Sequence, residues 1–207
     1  MKKICIFLIF CLIYISSSAR AGEWVWIHGS KAPDNPGNHG TQGAASLTNE
    51  PPALYEPCEW TDKNGNFWMY GGLDQNLGVH NDLWKYDPVT NEWTWMNGTN
   101  TLNDPGVYGT QGVASPTNRP SARSFAPASW VDLKGNLWMF GGYNTIAGLY
   151  NDLWKYDPTI NEWTWMKGPA ISNQNGVYGT IGVADTANVP GSRDEGAAAW
   201  TDNAGDL

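Results

Sequence analysis

Three histidines are the first residues that could do chemistry, because imidazole nitrogens bind transition metals and carry protons near neutral pH. His28, His39 and His80 are scattered along the chain without the short spacing of a metal-binding motif. The chain also repeats itself, and the second copy has Tyr108 and Tyr150 where the first has His39 and His80. We therefore predict no metal site and no cofactor.

Two arginines and two tyrosines recur at matching positions and are the candidate binding residues. Arg123 and Arg193 begin successive repeats, and Ala53 stands at that position in the first repeat. The arginines could form a structural salt bridge or carbonyl contact, or a ring that recognises carboxylates such as those of acidic sugars. Tyr108 and Tyr178, in the segments YGTQG and YGTIG, are candidate ligand contacts.

Other groups with possible chemistry have simpler interpretations. Residues 62–66, DKNGN, resemble part of a calcium loop but lack its remaining spacing and closing glutamate, so they predict a hairpin turn. Cys58 is replaced by Ala128 and Ala198 in the other repeats, which favours packing in a strand. No nucleophile with a base and no paired carboxylates stand out, so the sequence favours a protein that is not an enzyme.

The first 21 residues have the layout of a secretory signal peptide. Lys2 and Lys3 precede an apolar run from 4 to 15, and a small-x-small site predicts cleavage after Ala21. The alternative is an uncleaved membrane anchor, for which a twelve-residue run is short. We therefore expect a secreted or periplasmic protein.

Charge and composition narrow the class of protein. Beyond residue 21 there are nine basic and 20 acidic residues, a net charge of −11 with neutral histidine. This argues against nucleic acid and anionic membranes as partners, and no further apolar stretch approaches the length of a membrane span. A protein or a carbohydrate remains as the expected ligand. The 13 tryptophans and 24 glycines, with 15% charged residues, predict an all-β fold.

A sixteen-residue segment, at 81–96 and again at 151–166, organises the rest of the chain. Fourteen of its positions are identical, and the copies start 70 residues apart. Alternating apolar and polar residues, an Asp-Pro turn and a returning Trp-Thr-Trp predict a β-hairpin. An apolar strand precedes each hairpin, at 67–70 and 137–140, and we expect it to be buried on both faces.

These features resemble the kelch family: a glycine pair after a buried strand, a Tyr-Asp-Pro turn and a tryptophan about six residues later. The resemblance implies four-stranded antiparallel blades of a β-propeller whose aromatic residues pack between blades. The residues that carry the predicted blade motif are Gly71, Gly72, Trp84, Tyr86, Trp93, Gly141, Gly142, Trp154, Tyr156 and Trp163.

The predicted propeller is incomplete. Repeats start near 24, 93 and 163, which gives an outer strand at 24–27, full blades at 54–96 and 123–166, and the beginning of a third blade. Because the last repeat stops inside an apolar strand, we expect residues 22–207 to be a fragment or a truncated gene product. A propeller assembled from several copies is the alternative.

The repeat is longer than the usual kelch period of about 50 residues. Its surplus lies at 97–121 and 167–191, which we expect to form surface loops on one face of the disc. Long-period arrays of this kind are similar to secreted bacterial galactose-oxidase-like proteins. That resemblance implies copper held by two tyrosines and two histidines, with one tyrosine cross-linked to a cysteine, and this sequence has no suitable histidine pair.

We predict an exported, non-catalytic module that binds a protein or carbohydrate or acts as a scaffold. The alternative is the N-terminal part of a carbohydrate-active kelch enzyme, a copper oxidase or a sugar isomerase, with its catalytic residues outside this chain. A surface protein with a purely structural role is a third possibility.

Overall fold

The computed structural model describes residues 22–125, 128–195, 198–200 and 202. These residues contain ten β-strands and no helix, so the all-β prediction is confirmed. Over the same ranges, the structure has no apolar helix of membrane-spanning length. The predicted signal peptide and most of the predicted turn after Trp200 lie outside the described residues.

Blade 1 is a four-stranded antiparallel sheet with its strands in chain order. The strands are β1 (Cys58–Thr61), β2 (Phe67–Leu73), β3 (Val79–Asp87) and β4 (Glu92–Asn97). Trp84 pairs with Trp95 across the predicted hairpin. The predicted outer strand at 24–27 does not form, and Trp24 is 99% exposed.

Blade 2 repeats this sheet with the order β10-β9-β6-β5. A short ribbon, β7 with β8, takes the place of the longer ends of β2 and β3 in blade 1. Two such antiparallel sheets agree with the predicted kelch-type propeller blades. The strands are β5 (Ala128–Val131), β6 (Leu137–Phe140), β7 (Tyr143–Asn144), β8 (Gly148–Leu149), β9 (Leu153–Asp157) and β10 (Glu162–Lys167).

The β1–β2 connection is a hairpin turn organised by Asp62, as predicted. Its Oδ1 accepts the amides of Asn64 (2.8 Å) and Asn66 (3.0 Å), and its Oδ2 accepts the indole N–H of Trp68 (2.9 Å). Burial raises the pKa of Asp62, but these hydrogen bonds outweigh burial and leave the pKa below its usual range. Asp132 makes the equivalent bonds in blade 2.

The main core lies between the two blades. Tyr70 of blade 1 meets Trp163 of blade 2 edge to face at 5.4 Å, and Trp68 meets Tyr156 at 5.7 Å. The indole of Trp60 donates a 2.8 Å hydrogen bond across the interface to the carbonyl of Trp138. Such aromatic contacts bury a large apolar area, so each blade stabilises the other. Cys58, Leu83, Leu137, Met139 and Trp154 complete this core.

The glycine pair of blade 1 lets the chain that enters blade 2 come close. Gly71 has φ of +65°, and a Cβ there would collide with the carbonyl oxygen of Arg123. That oxygen also accepts the amide of Gly72 at 3.0 Å. Gly142 donates to the carbonyl of Arg193 in the same way, at 2.9 Å. The glycines are therefore contact points for the backbone of the following repeat.

Two long segments cover the free edges of the outer strands β4 and β10. Ser115 forms an antiparallel bridge to Trp163, and the amide of Gly112 donates to the carbonyl of Trp165 at 2.8 Å. Residues 43–46 make the same contacts with β4. This differs from the predicted surface loop on one face of the disc, because unpaired strand groups are better satisfied by a covering segment.

Candidate functional site

The antiparallel order sorts the connections onto two edges of each blade. The turn edge carries the tight turns at 62–66, 87–92, 132–136 and 157–162. The loop edge carries the β2–β3 and β6–β9 connections and the first residues of each long segment. The amide of Asn103, for example, donates to the carbonyl of Val79 at 2.7 Å. Both blades therefore present their variable connections on the loop edge.

A fully buried carboxylate, Asp152, lies beneath the loop edge of blade 2. Arg123 binds it with two parallel hydrogen bonds, from Nη1 to Oδ1 at 2.7 Å and from Nη2 to Oδ2 at 2.8 Å. The hydroxyl of Tyr108 donates to Oδ2 at 2.6 Å, and the indole of Trp154 donates to the same oxygen at 2.7 Å. Both carboxylate oxygens are thus satisfied.

The remaining donors of Arg123 are also used inside the protein. Nη1 donates to the carbonyl of Gly141 at 2.9 Å, and Nη2 and Nε donate to the hydroxyl and carbonyl of Ser121. The guanidinium lies 4.4 Å from the ring centre of Tyr150. Burial opposes ionisation, but Arg123 outweighs it and holds the pKa of Asp152 below its usual range. The pair is charged and closed to solvent.

The four predicted binding residues separate into two groups. Arg123 and Tyr108 meet at Asp152 and are engaged internally, and burial raises the pKa of Tyr108. Tyr178 is 68% exposed. Arg193 is also exposed, and its Nε donates to the carbonyl of Gly191 at 3.0 Å. Arg193 forms no ion pair within the described residues.

Blade 1 places a leucine where blade 2 has its buried arginine. The amide of Ala53 donates to the carbonyl of Asn35, as the amide of Ala122 donates to the carbonyl of Asp104. Ala53 therefore matches Ala122, and the next residue, Leu54, is the counterpart of Arg123. The prediction that Ala53 occupies this position is wrong by one residue, because the segment between Asn49 and Trp60 is one residue shorter than that between Asn118 and Trp130.

Without that arginine, the carboxylate of blade 1 has a different set of neighbours. Asp82 accepts at Oδ2 from His39 (2.8 Å) and Trp84 (2.7 Å), but its buried Oδ1 has no hydrogen-bond partner in the described structure. Nδ1 of His80 lies 3.7 Å from Oδ1, and Nε2 of His80 lies 3.5 Å from Oδ2 of Asp74 without a hydrogen bond. Blade 1 therefore contains an unsatisfied acidic centre.

Sequence reasoning missed this centre. The sequence shows His39 and His80 only as scattered residues without the spacing of a motif, yet both lie beside Asp82. The available signal was a set of coordinated differences between the repeats, since Tyr108 and Tyr150 replace the two histidines around the equivalent aspartate. The alignment could not show that the three positions meet in space.

Each blade has a cavity at its loop edge, at equivalent positions but with different chemistry. The blade-1 pocket has a volume of about 330 Å³, with Asp34, Asp74 and His80 in its wall. The blade-2 pocket has a volume of about 360 Å³, with Ile146, Ile171 and Tyr150 in its wall. The neutral Asn144 replaces Asp74, and Ile146 replaces Asn76.

The described residues do not fit the copper site that a galactose-oxidase-like protein would require. No three His, Cys, Asp or Glu residues in the described ranges are close enough together to hold a metal ion. Nε2 of His39 is engaged by Asp82, and Cys58 is buried in β1, where burial raises the pKa of its thiol.

Comparison with known proteins agrees with this architecture. Residues 64–100, which run from the β1–β2 turn of blade 1 past β4, match the Kelch motif. Multiple epidermal growth factor-like domains protein 8 from human is 29% identical over 107 residues, and the rat and mouse proteins match equally well. The match covers 51% of this chain but about 3% of the length of each relative.

Proposed function

Because residues 64–100 carry a kelch motif, which supports membership of the kelch-repeat family, we propose that this protein is a non-catalytic module that binds a protein partner. The partner binds at the loop edge of the blades. The protein acts after export, since its first 21 residues have the pattern of a signal peptide.

The observation that carries this proposal is that the β-hairpins of the two blades are nearly identical, whereas their loop edges differ. The hairpins of the two blades are identical at fourteen of sixteen positions, whereas the walls of the two loop-edge pockets differ in their residues, as at Asp74 and Asn144. A constant frame with variable loops is the usual design of a recognition scaffold.

Exposed aliphatic side chains at the loop edge suit a protein partner. Ile146 and Ile171 line the blade-2 pocket, and Leu102 lines the blade-1 pocket, and all three are exposed. Burying such side chains against a partner removes apolar surface from water and favours association, although the entropy lost on binding offsets part of this gain. A carbohydrate ligand would favour an exposed aromatic platform with polar neighbours, which neither pocket wall offers.

The experiment is an interaction screen with the full chain against arrays of extracellular proteins and of glycans. Ile171→Asp tests the loop edge, and Leu133→Asp on the turn edge is a matched control, since both wild-type side chains are 63% exposed. We expect a protein ligand whose affinity falls at least about tenfold with Ile171→Asp and is unchanged with Leu133→Asp. Binding to glycans alone, or equal loss with both variants, would contradict the proposal.

Export has its own test, the intact mass of the protein recovered outside the cytoplasm. We expect this mass to lack residues 1–21. A mature protein that still contains Met1 to Ala21 would exclude a cleaved signal peptide.

A further inference from the structure

We propose that the blade-1 pocket binds a cationic side chain, arginine or lysine, of the protein partner, with Asp74 and His80 as its acceptors. This rests on the proposed function and specifies the chemistry of the partner. The pocket lies beside the buried centre at which blade 1 lacks a positive charge that blade 2 has. Leu54 stands where blade 2 has the guanidinium of Arg123.

Blade 2 supplies the template for the interaction. Its buried carboxylate is neutralised by an internal guanidinium that also lies against the ring of Tyr150. In blade 1 the equivalent carboxylate, Asp82, is equally buried but has one oxygen without a hydrogen bond. A buried carboxylate with an unsatisfied oxygen is costly, and a cation close to it lowers that cost.

His80 lies between the carboxylate of Asp82 and the pocket, and its ring can accept a hydrogen bond there. Its side chain is about nine-tenths buried, and its Nδ1 faces Oδ1 of Asp82 at 3.7 Å. Nε2 is buried and has no hydrogen-bond partner in the described structure, so with the ring proton on Nδ1, towards that carboxylate, Nε2 is an unpaired acceptor at the pocket wall. Oδ2 of Asp74 is 3.5 Å from Nε2, and no hydrogen bond joins the two atoms. Two facing acceptors are satisfied by a group that only donates, such as guanidinium or ammonium.

The other residues of the pocket wall also favour a ligand that donates hydrogen bonds. Asp34 adds a second carboxylate, and the side-chain carbonyls of Asn76 and Asn100 are further acceptors. The described lining contains neither lysine nor arginine. A volume of about 330 Å³ exceeds what one basic side chain needs, so a partner residue can enter with its aliphatic stem against Leu102.

The test is a binding titration of the full chain with two capped tripeptides, one containing arginine and one containing its neutral isostere citrulline. We expect the arginine peptide to bind and the citrulline peptide to bind at least about tenfold more weakly, because a charge-assisted hydrogen bond is lost. Equal affinity for the two peptides would overturn the proposal.

Variants drawn from blade 2 locate the site. Asp74→Asn copies Asn144 and removes the charge, and we expect at least about a tenfold loss of arginine-peptide affinity. Leu54→Arg gives blade 1 the internal guanidinium that Arg123 supplies in blade 2. This variant should abolish binding and raise the melting temperature. Glu59→Gln also removes one negative charge, from an exposed residue of β1, and should leave binding unchanged. Peptide binding that survives Asp74→Asn would overturn the assignment.

A measurement on the unmodified chain keeps the test independent of folding defects. The ¹⁵N resonances of the His80 ring should shift when the arginine peptide binds, while those of His28 stay constant. If the peptide does not shift His80 but a protein ligand still depends on Ile171, the cation pocket is excluded and the proposed function stands. If the peptide binds at His80 but no protein ligand exists, the pocket stands and the proposed function is excluded.

Discussion

Replacing Arg123 with leucine, the residue that blade 1 has at this position, should destabilise the protein strongly. Arg123 makes five hydrogen bonds, two of them to Asp152, and both residues are fully buried. Counting about 1.5–3 kcal/mol for each charged hydrogen bond would overstate the effect, because burial of the two charges offsets most of that sum. Breaking one side of a buried pair costs about 3–5 kcal/mol, which is the loss we expect at pH 7.

The pH dependence gives this prediction a second signature. In the wild type the folded pKa of Asp152 is lowered, so the stabilisation is present above the unfolded pKa of about 3.9 and is lost as the pH falls through the folded value. In Arg123→Leu, burial raises the pKa of Asp152 without opposition from the guanidinium. The folded variant then takes up a proton, and its stability deficit should narrow between pH 7 and pH 4.

The assay is urea unfolding followed by tryptophan fluorescence, with Arg193→Leu as the control. Arg193 is exposed and its side chain forms no ion pair in the described ranges, so its replacement should change stability by no more than about 0.5 kcal/mol. A deficit below about 1 kcal/mol for Arg123→Leu, typical of an exposed salt bridge, would refute the reasoning. A deficit that does not change with pH would exclude an ionised Asp152 as its cause.

Three further predictions concern the packing and hydrogen bonds inside the two blades. Gly71→Ala should lower the free energy of unfolding by several times the roughly 1 kcal/mol expected for Gly43→Ala, as measured by thermal unfolding. Both glycines have positive φ, but only Gly71 faces a backbone carbonyl. Equal losses for the two variants would contradict the close approach. Tyr108→Phe should cost about 1–3 kcal/mol in the same assay, since the buried carboxylate of Asp152 loses a donor; no change would contradict the bond. Cys58 should resist a thiol reagent at pH 8 until urea is added, because burial raises its pKa; rapid labelling of the folded chain would contradict its position in the core.

The sequence predicted the strands of the blades well because they repeat. The hairpins at β3–β4 and β9–β10, the Asp62 turn and the glycine pairs all follow from residues that are close together in the chain. Alternation and turn chemistry are local, so one copy of the repeat confirms the other. The expected burial of β2 on both faces is only partial, since Phe67 is about half exposed.

Contacts between distant segments could not be predicted in the same way. Nothing local indicates that residues 107–119 cover β10, or that Tyr108 reaches Asp152 across 44 positions. The strand expected at Trp24–Ile27 carries the same Trp-x-Trp pattern as β4 but does not pair as a strand in the described structure. Pattern alone predicts a strand's propensity, and pairing decides whether the strand forms.

The acidic centre of blade 1 shows the same limit at the level of function. His39, His80 and Leu54 are unremarkable separately, and the second repeat has Tyr108, Tyr150 and Arg123 at these positions. Only their arrangement around Asp82 leaves a buried carboxylate oxygen and a histidine nitrogen without partners. The differences between the repeats therefore become informative only once the three positions are known to meet in space.

The most direct test of the account is hydrogen–deuterium exchange of the full chain with and without the arginine tripeptide. We predict slower exchange in residues 74–80 and 98–104 at the loop edge of blade 1, with no change in the turns at 62–66 and 87–92. Protection confined to those turns, or no protection at saturating peptide, would contradict a binding surface at the loop edge.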